Sequence, residues 1–287
     1  MISRLVERMR APERRRGIPA LVPAALFLLF FFAYPLLDIL RRSVYHEGFT
    51  LRFYRRILDE SAYLSVFLNT VEIAFLVTFA CVIFGYPLAY FLNGCSPRTR
   101  RILLMLIIFP FFTSVVVRTF AWIALLGRNG MISQSLQYLG LVNAPLKILY
   151  TETAVVIGMT YVLLPVMVLT IYSVMTGIDR GLIRAAYSLG ASKWFAFVRI
   201  FLPLSLAGLA AGTLLVFIMS LGYFITPALL GGPSDVMIGM LVGREVEVTN
   251  DWSFASALAI VLLALTMLGF IVCSKVVRLD RIFAART

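Results

Sequence analysis

Three ionisable side chains, Asp38, Glu72 and Arg118, stand within or at the edge of stretches that are otherwise almost wholly apolar. A charge at the centre of a bilayer costs at least ~2.5–3.5 kcal/mol on insertion scales, so such residues face a partner, a water-filled path or the interface. Carboxylates and aromatic faces along a path suit a cationic solute. Glu72 and Tyr223 are the candidates for that lining. Arg118, on a stretch running the opposite way, lies at a depth similar to that of Glu72. The matched depth leaves three readings open: a structural Glu72–Arg118 pair, a path lining, or a contact with a second subunit. Asp38, near the end of its stretch, is expected to snorkel to the interface.

Other chemistry is sparse. The lone histidine, His46, and the three cysteines, Cys81, Cys95 and Cys273, form no Cys-x-x-Cys and no His/Cys cluster. Neither a metal site nor a disulfide is expected. The sequence lacks a Gly-x-x-x-x-Gly-Lys-Ser/Thr phosphate loop, so any ATP must be bound by another chain. A membrane-embedded enzyme would need convergent His, Asp or Cys residues near one bilayer face, which is not the pattern here. An ion-coupled transporter usually carries two related halves, and no clear internal repeat exists.

The elements that position these residues are set by composition. The 287 residues are 61% hydrophobic and 14% charged, against about 25% charged in soluble domains. Mean hydropathy is +0.95. Six windows, about 18–40, 64–92, 102–126, 153–176, 204–230 and 253–275, are apolar over the roughly 20 residues a helix needs to cross a bilayer. The first is too long for a signal-peptide core and continues into Tyr34-Pro35-Leu36-Leu37-Asp38, so it is expected to be retained. Residues 1–17 form a basic N-terminal segment, 18–275 a single transmembrane domain and 276–287 a basic tail.

The net charge of +12 would suit nucleic acid. Its arginines, however, cluster beside the apolar windows, where they are topology signals, and no nucleic-acid partner is expected. Arg4, Arg8, Arg10, Arg14, Arg15, Arg16, Arg98, Arg100, Arg101, Arg180, Arg184, Lys193, Arg199, Lys275, Arg278, Arg281 and Arg286 fall on one side. They outnumber Arg41, Arg42, Arg52, Arg55, Arg56, Arg128, Lys147 and Arg244 on the other. The expected fold is all-α and integral to the membrane, with six transmembrane helices and both termini cytoplasmic. On the opposite side, Leu51 to Leu64 follows helical spacing with Phe53, Tyr54, Ile57 and Leu58 on one face, as an interfacial helix does. The Thr226-Pro227 and Gly231-Gly232-Pro233 breaks have two readings. They line a solute path, as broken helices do in transporters, or Pro227 kinks the fifth span and the glycines end it.

One polar, helix-patterned insert falls on the basic side, at about 178–203. Asp179 can cap a short helix, and Leu182, Ala185, Ala186 and Leu189 recur at i, i+3, i+4 and i+7. Gly190 stands where a left-handed C-cap would end that helix. Ser192 can cap a second helix, with Trp194, Phe195, Val198 and Phe201 on its apolar side, and Pro203 suits the first turn of the next span. On these residues alone, a docking surface and a hairpin lying on the bilayer are equally consistent.

The insert resembles the cytoplasmic loop of ABC importer permeases, whose pattern is Glu-Ala-Ala, three residues, Gly, then about nine residues to Leu-Pro. Ala185, Ala186, Gly190, Leu202 and Pro203 match, and Arg184 replaces the Glu. Gly85-Tyr86-Pro87-Leu88-Ala89-Tyr90, Leu125-Leu126-Gly127-Arg128-Asn129-Gly130 and Tyr223 to Gly232, with Asp235 and Met237-Ile238-Gly239, are similar to the spermidine/putrescine-type branch. The resemblance implies a type I importer permease fold in a bacterial inner membrane. It also implies a coupling helix seated on an ATP-hydrolysing subunit through Arg184, Ala185, Ala186, Leu189, Gly190, Ser192 and Lys193. Implied partners are a second, different permease, two ATPase subunits that carry the ATP and magnesium, and an external binding protein. The implied solute is a polyamine, with other small organic solutes as the alternative. Glu72, Arg118, Tyr223 and Thr226 would line the path, and no cofactor would be bound by this chain.

Overall fold

The computed structural model describes residues 17–45 and 48–277. His46, residues 1–16 of the expected basic segment and residues 278–287 of the expected tail lie outside the described residues. In chain order the helices are α1 Gly17–Leu28, α2 Tyr34–Val44, α3 Arg52–Asp59, α4 Ser61–Gly94, α5 Pro97–Ile108, α6 Val115–Leu126, α7 Met131–Tyr138, α8 Glu152–Thr176, α9 Arg180–Ser188, α10 Lys193–Ala196, α11 Leu202–Leu221, α12 Ile225–Leu230, α13 Ile238–Glu247 and α14 Trp252–Val277. Among the described residues, six helical stretches are long and apolar enough to cross a membrane.

α8 is the hub, and α4 and α11 pack along it. Its buried side chains, among them Met159, Leu163, Met167, Ile171 and Met175, fill the main core with Ile73 and Val77 of α4 and Val216 of α11. Lipid tails are as apolar as leucine, so helix association in a membrane depends on close packing rather than on the hydrophobic effect. Gly208 permits that approach: a Cβ there would stand 2.8 Å from the Val174 Cβ and 3.1 Å from the Ile171 Cα. Several of the hydroxyls in this core are paired. The Thr78 and Ser220 hydroxyls donate to carbonyls one turn back, at 2.7 and 2.8 Å. Tyr86 Oη meets Ser205 Oγ at 2.8 Å across α4 and α11.

Three expected elements take a different form. The third window, 102–126, is two helices, α5 and α6, separated at Phe109–Ser114, where Pro110 sits in a 3₁₀ turn. The fifth window, 204–230, is broken at Gly222–Phe224, between α11 and α12. Pro227 therefore starts a short helix rather than kinking a long one. The expected second helix of the insert does not end before Pro203. Lys193–Leu221 is helical throughout, because Phe197–Phe201 forms a π turn in which the Leu202 N–H donates to the Phe197 carbonyl. Proline has no N–H and its ring strikes the carbonyl four residues back. One wide turn relieves both problems. The same device precedes Pro35, where Leu29–Ala33 is a π turn closed by the Tyr34 N–H on Leu29 O.

The interfacial helix, α3, also differs from expectation. Its apolar face is partly covered by protein: Phe53 and Ile57 are 3% exposed and pack with Phe254, Ala257 and Leu258 of α14, whereas Leu58 stays exposed. The Arg56 guanidinium lies 4.4 Å from the Phe254 ring centroid and pairs with Glu60 at 3.2 Å. Burial draws this guanidinium down, but the hydrogen bond and charge of Glu60, with Tyr63 and Glu245 nearby, hold it above its ordinary pKa.

Introducing Gly208→Leu should cost about 1–3 kcal/mol, the usual cost of overpacking, and lower the unfolding temperature in detergent. Gly222→Leu, with no atom within 4 Å of its Cβ position, should leave that temperature nearly unchanged. Equal effects would overturn this account of the α8–α11 contact.

Candidate functional site

The insert is a capped helix followed by a long one. Asp179 Oδ1 accepts from the Gly181 N–H at 2.7 Å and starts α9. The Ala191 N–H reaches back to Ala186 O at 3.0 Å across Gly190, whose φ of +83° is where glycine is favoured. Ser192 Oγ accepts from the Phe195 N–H at 3.2 Å and starts α10.

α9 presents two distinct faces. Ala185, Ala186, Leu189, Gly190 and Ser192 gather with Leu182 and Phe195 around one groove of about 750 Å³. Leu189 is 89% exposed, while Ala186 is buried. The expected apolar face is thus formed, and most of it is left uncovered. Arg184 and Lys193 are not part of it. They line a separate cleft with Arg180, Ile183 and Tyr187, between α9 and the end of α4. Positions 180, 183, 184 and 187 share one helical face, so the Arg/Glu difference from the loop pattern falls on the side away from the Ala-Ala groove.

The in-span candidates divide into two groups. Arg118 is buried and is held by the α5–α6 break. Its Nε donates to Thr113 Oγ1 at 3.2 Å and its Nη2 to Thr113 O at 2.8 Å. The break frees a carbonyl, and the guanidinium satisfies it. Tyr223 lies in the α11–α12 break, within electrostatic reach of Arg118. Thr226 is 1% exposed, makes no hydrogen bond through Oγ1 among the described residues, and turns its methyl carbon toward Gly158, 2.9 Å from where a Cβ would stand.

Glu72 is elsewhere. It is exposed on α4 and forms no ion pair with Arg118 among the described residues. Its charge instead acts, with that of Asp235, on Glu152 at the start of α8. Glu152 Oε1 is buried without a partner among the described residues. Asp235 closes the Gly231–Pro233 turn, accepting from the Gly232 N–H at 2.8 Å and from Ser234 Oγ at 3.0 Å. That turn is tied to α4 by Asn69 on Ser234 O and by the Ile238 N–H on Thr70 Oγ1 at 3.0 Å. The three carboxylates share a region without forming a metal-holding group. Sequence reasoning missed Glu152 because it stands one residue before its apolar window. The only signal was an acid at a helix start. Asp38 is paired with Arg41 and Arg42, at 3.0 and 2.7 Å.

The profile of a family described as the binding-protein-dependent transport system inner membrane component matches residues 81–281. The chain is 38% identical over 214 residues to the spermidine/putrescine transport system permease protein PotB of Escherichia coli (strain K12), covering 75% of this chain and 78% of that one. It is 36% identical over 206 residues, 72% of each chain, to the protein of the same name from Haemophilus influenzae (strain ATCC 51907 / DSM 11121 / KW20 / Rd). In fold it is similar to a chain of a bacterial ABC transporter involved in the import of the acidic polysaccharide alginate, with TM-score 0.75 and 17% identity over 96% of this chain and 98% of that one.

Because Glu72 and Arg118 do not meet, Glu72→Gln and Arg118→Gln should act additively on thermal stability, within about 0.3–0.5 kcal/mol in a double-mutant cycle. A larger coupling energy would restore the pair.

Proposed function

This chain belongs to the binding-protein-dependent transport system inner membrane component family and is a multi-pass permease subunit of an ABC importer; on that premise we propose that the solute it passes is a polyamine of the spermidine/putrescine type. The observation that carries the solute class is the 38% identity to PotB over three quarters of the chain. The Glu72, Glu152 and Asp235 group is consistent with it, because none of the three forms an ion pair among the described residues and a polycation gains from such carboxylates.

In this reading the basic end of the bundle is cytoplasmic, both termini lie there, and the carboxylates face outside. An external binding protein delivers the solute. A second, different permease supplies the other half of the path. Two ATPase subunits bind ATP and magnesium, and one of them grips α9 through the Leu182–Leu189 groove, where Ala185 and Ala186 let another backbone approach closely. Arg118, Tyr223 and Thr226 form the part of the path wall where α5–α6 and α11–α12 are broken. This chain does no covalent chemistry. It alternates between outward- and inward-open states, as each partner binds the two states with different affinity.

The test is uptake into proteoliposomes holding the permease pair, the ATPase and the binding protein, with ATP inside. Spermidine or putrescine should accumulate. Accumulation of an amino-acid-like or anionic solute, with none of a polyamine, would overturn the solute class. Uptake by this chain alone on an ion gradient would overturn the importer role. In the same vesicles, Ala186→Asp and Gly190→Pro should reduce ATP-dependent uptake to background while membrane insertion is retained. Normal uptake by either variant would count against docking at α9.

A further inference from the structure

The second face of α9 carries an inference that the transport role does not supply. The cleft between α9, the end of α4 and the start of α10 has a volume of about 1240 Å³, larger than the ~300–1,000 Å³ of an ordinary small-molecule pocket. Its floor is aromatic. Tyr90 meets Phe197 and Phe201 edge-on, with ring centroids 5.1 and 5.3 Å apart. Its rim is cationic, with Arg180, Arg184 and Lys193 and no carboxylate among the lining residues. Arg180 is committed, since its Nη2 donates to Asn93 O at 3.2 Å. Arg184 and Lys193 form no ion pair among the described residues.

Placement specifies the occupant. The apolar stretch Ser61–Gly94 ends at this cleft and Lys193–Leu221 begins there, which in the orientation proposed above puts the cleft at the cytoplasmic boundary of the bundle, with its aromatic floor inside the helical stretches and its basic rim at their ends. Basic residues at such a boundary attract anionic lipid, and aromatic side chains belong at the same level. We infer that this cleft binds an anionic phospholipid of the bilayer, with the headgroup phosphate on Arg184 and Lys193 and an acyl chain over Tyr90, Phe197 and Phe201. The inference rests on the cytoplasmic orientation proposed above. It also gives Arg184 a reason to differ from the loop pattern, because a carboxylate there would repel the headgroup. The lipid supports α9 from the membrane side while the opposite groove remains free for the ATPase.

The test uses the assembled transporter in nanodiscs of phosphatidylcholine with phosphatidylglycerol, and native mass spectrometry to count retained lipid. The wild type should retain phosphatidylglycerol in preference to phosphatidylcholine. The R184Q/K193Q variant should retain it about 30-fold less well, as the loss of two interfacial cations implies. Tyr90→Asp, which puts a charge in the floor, should weaken retention in the same way. Unchanged retention in both variants overturns the inference. So does displacement of the lipid by soluble glycerol phosphate, which would show a site for phosphate alone. Loss of the ATPase subunit from R184Q/K193Q with lipid retention intact would assign the cleft to that subunit instead. Retention is read without transport, so a failure of polyamine uptake would leave this result standing.

Discussion

Every backbone N–H and C=O that enters a hydrocarbon layer must find a partner in the chain itself, because no water is available to replace it. The departures from straight helix here each answer that requirement. The π turns at Leu29–Ala33 and Phe197–Phe201 rephase the ladder ahead of Pro35 and Pro203. Arg118 serves the carbonyl released at Thr113. Asp235 and Thr70 serve the amides released at Gly232 and Ile238. Of the residues nominated as path lining, Arg118 is therefore also one that makes a broken backbone tolerable in a membrane. Arg118 has a structural duty that accounts for its burial before any contact with solute is invoked.

Much of this was legible beforehand. Apolar windows of the right length located the spans, because burial in lipid demands long continuous runs. The caps at Asp179, Gly190 and Ser192 were readable because capping is local chemistry between residues two to five apart. What could not be read depends on distant partners. Nothing near Phe53 announces Phe254, and a helix covered by protein has the same amphipathic pattern as one lying on lipid. The breaks at Phe109–Ser114 and Gly222–Phe224 sit inside apolar runs, where hydropathy is blind to backbone geometry. The windows put Glu72 and Arg118 at a similar depth, but depth fixes one coordinate of three, and the two do not pair in the structure.

The solute is the property least fixed by architecture. A chain with a similar fold at 17% identity belongs to a transporter of an acidic polysaccharide, so the fold by itself does not fix the charge of the solute. A scaffold held by close packing at Gly208 and by paired hydroxyls leaves the surface facing the path free to vary. In this chain Glu72 and Glu152 stand together at one end of α4 and the Arg184 side of α9 stands at its other end, with opposite charge and different neighbours.

The unbroken helix from Lys193 to Leu221 has a mechanical meaning. At 1.5 Å per residue it is a rod of roughly 43 Å. One end is set by the Ser192 cap beside α9, and the other stops at Gly222, next to Tyr223 and Thr226. A tilt of only about 5° at the first end sweeps the second through about 4 Å over that length. Had Pro203 broken the rod into two hinged pieces, the same push would have been absorbed at the joint. The π turn keeps proline in the sequence without placing a joint in the lever. A rod of this kind would turn a small shift at the membrane surface into a larger one at the far end of the span.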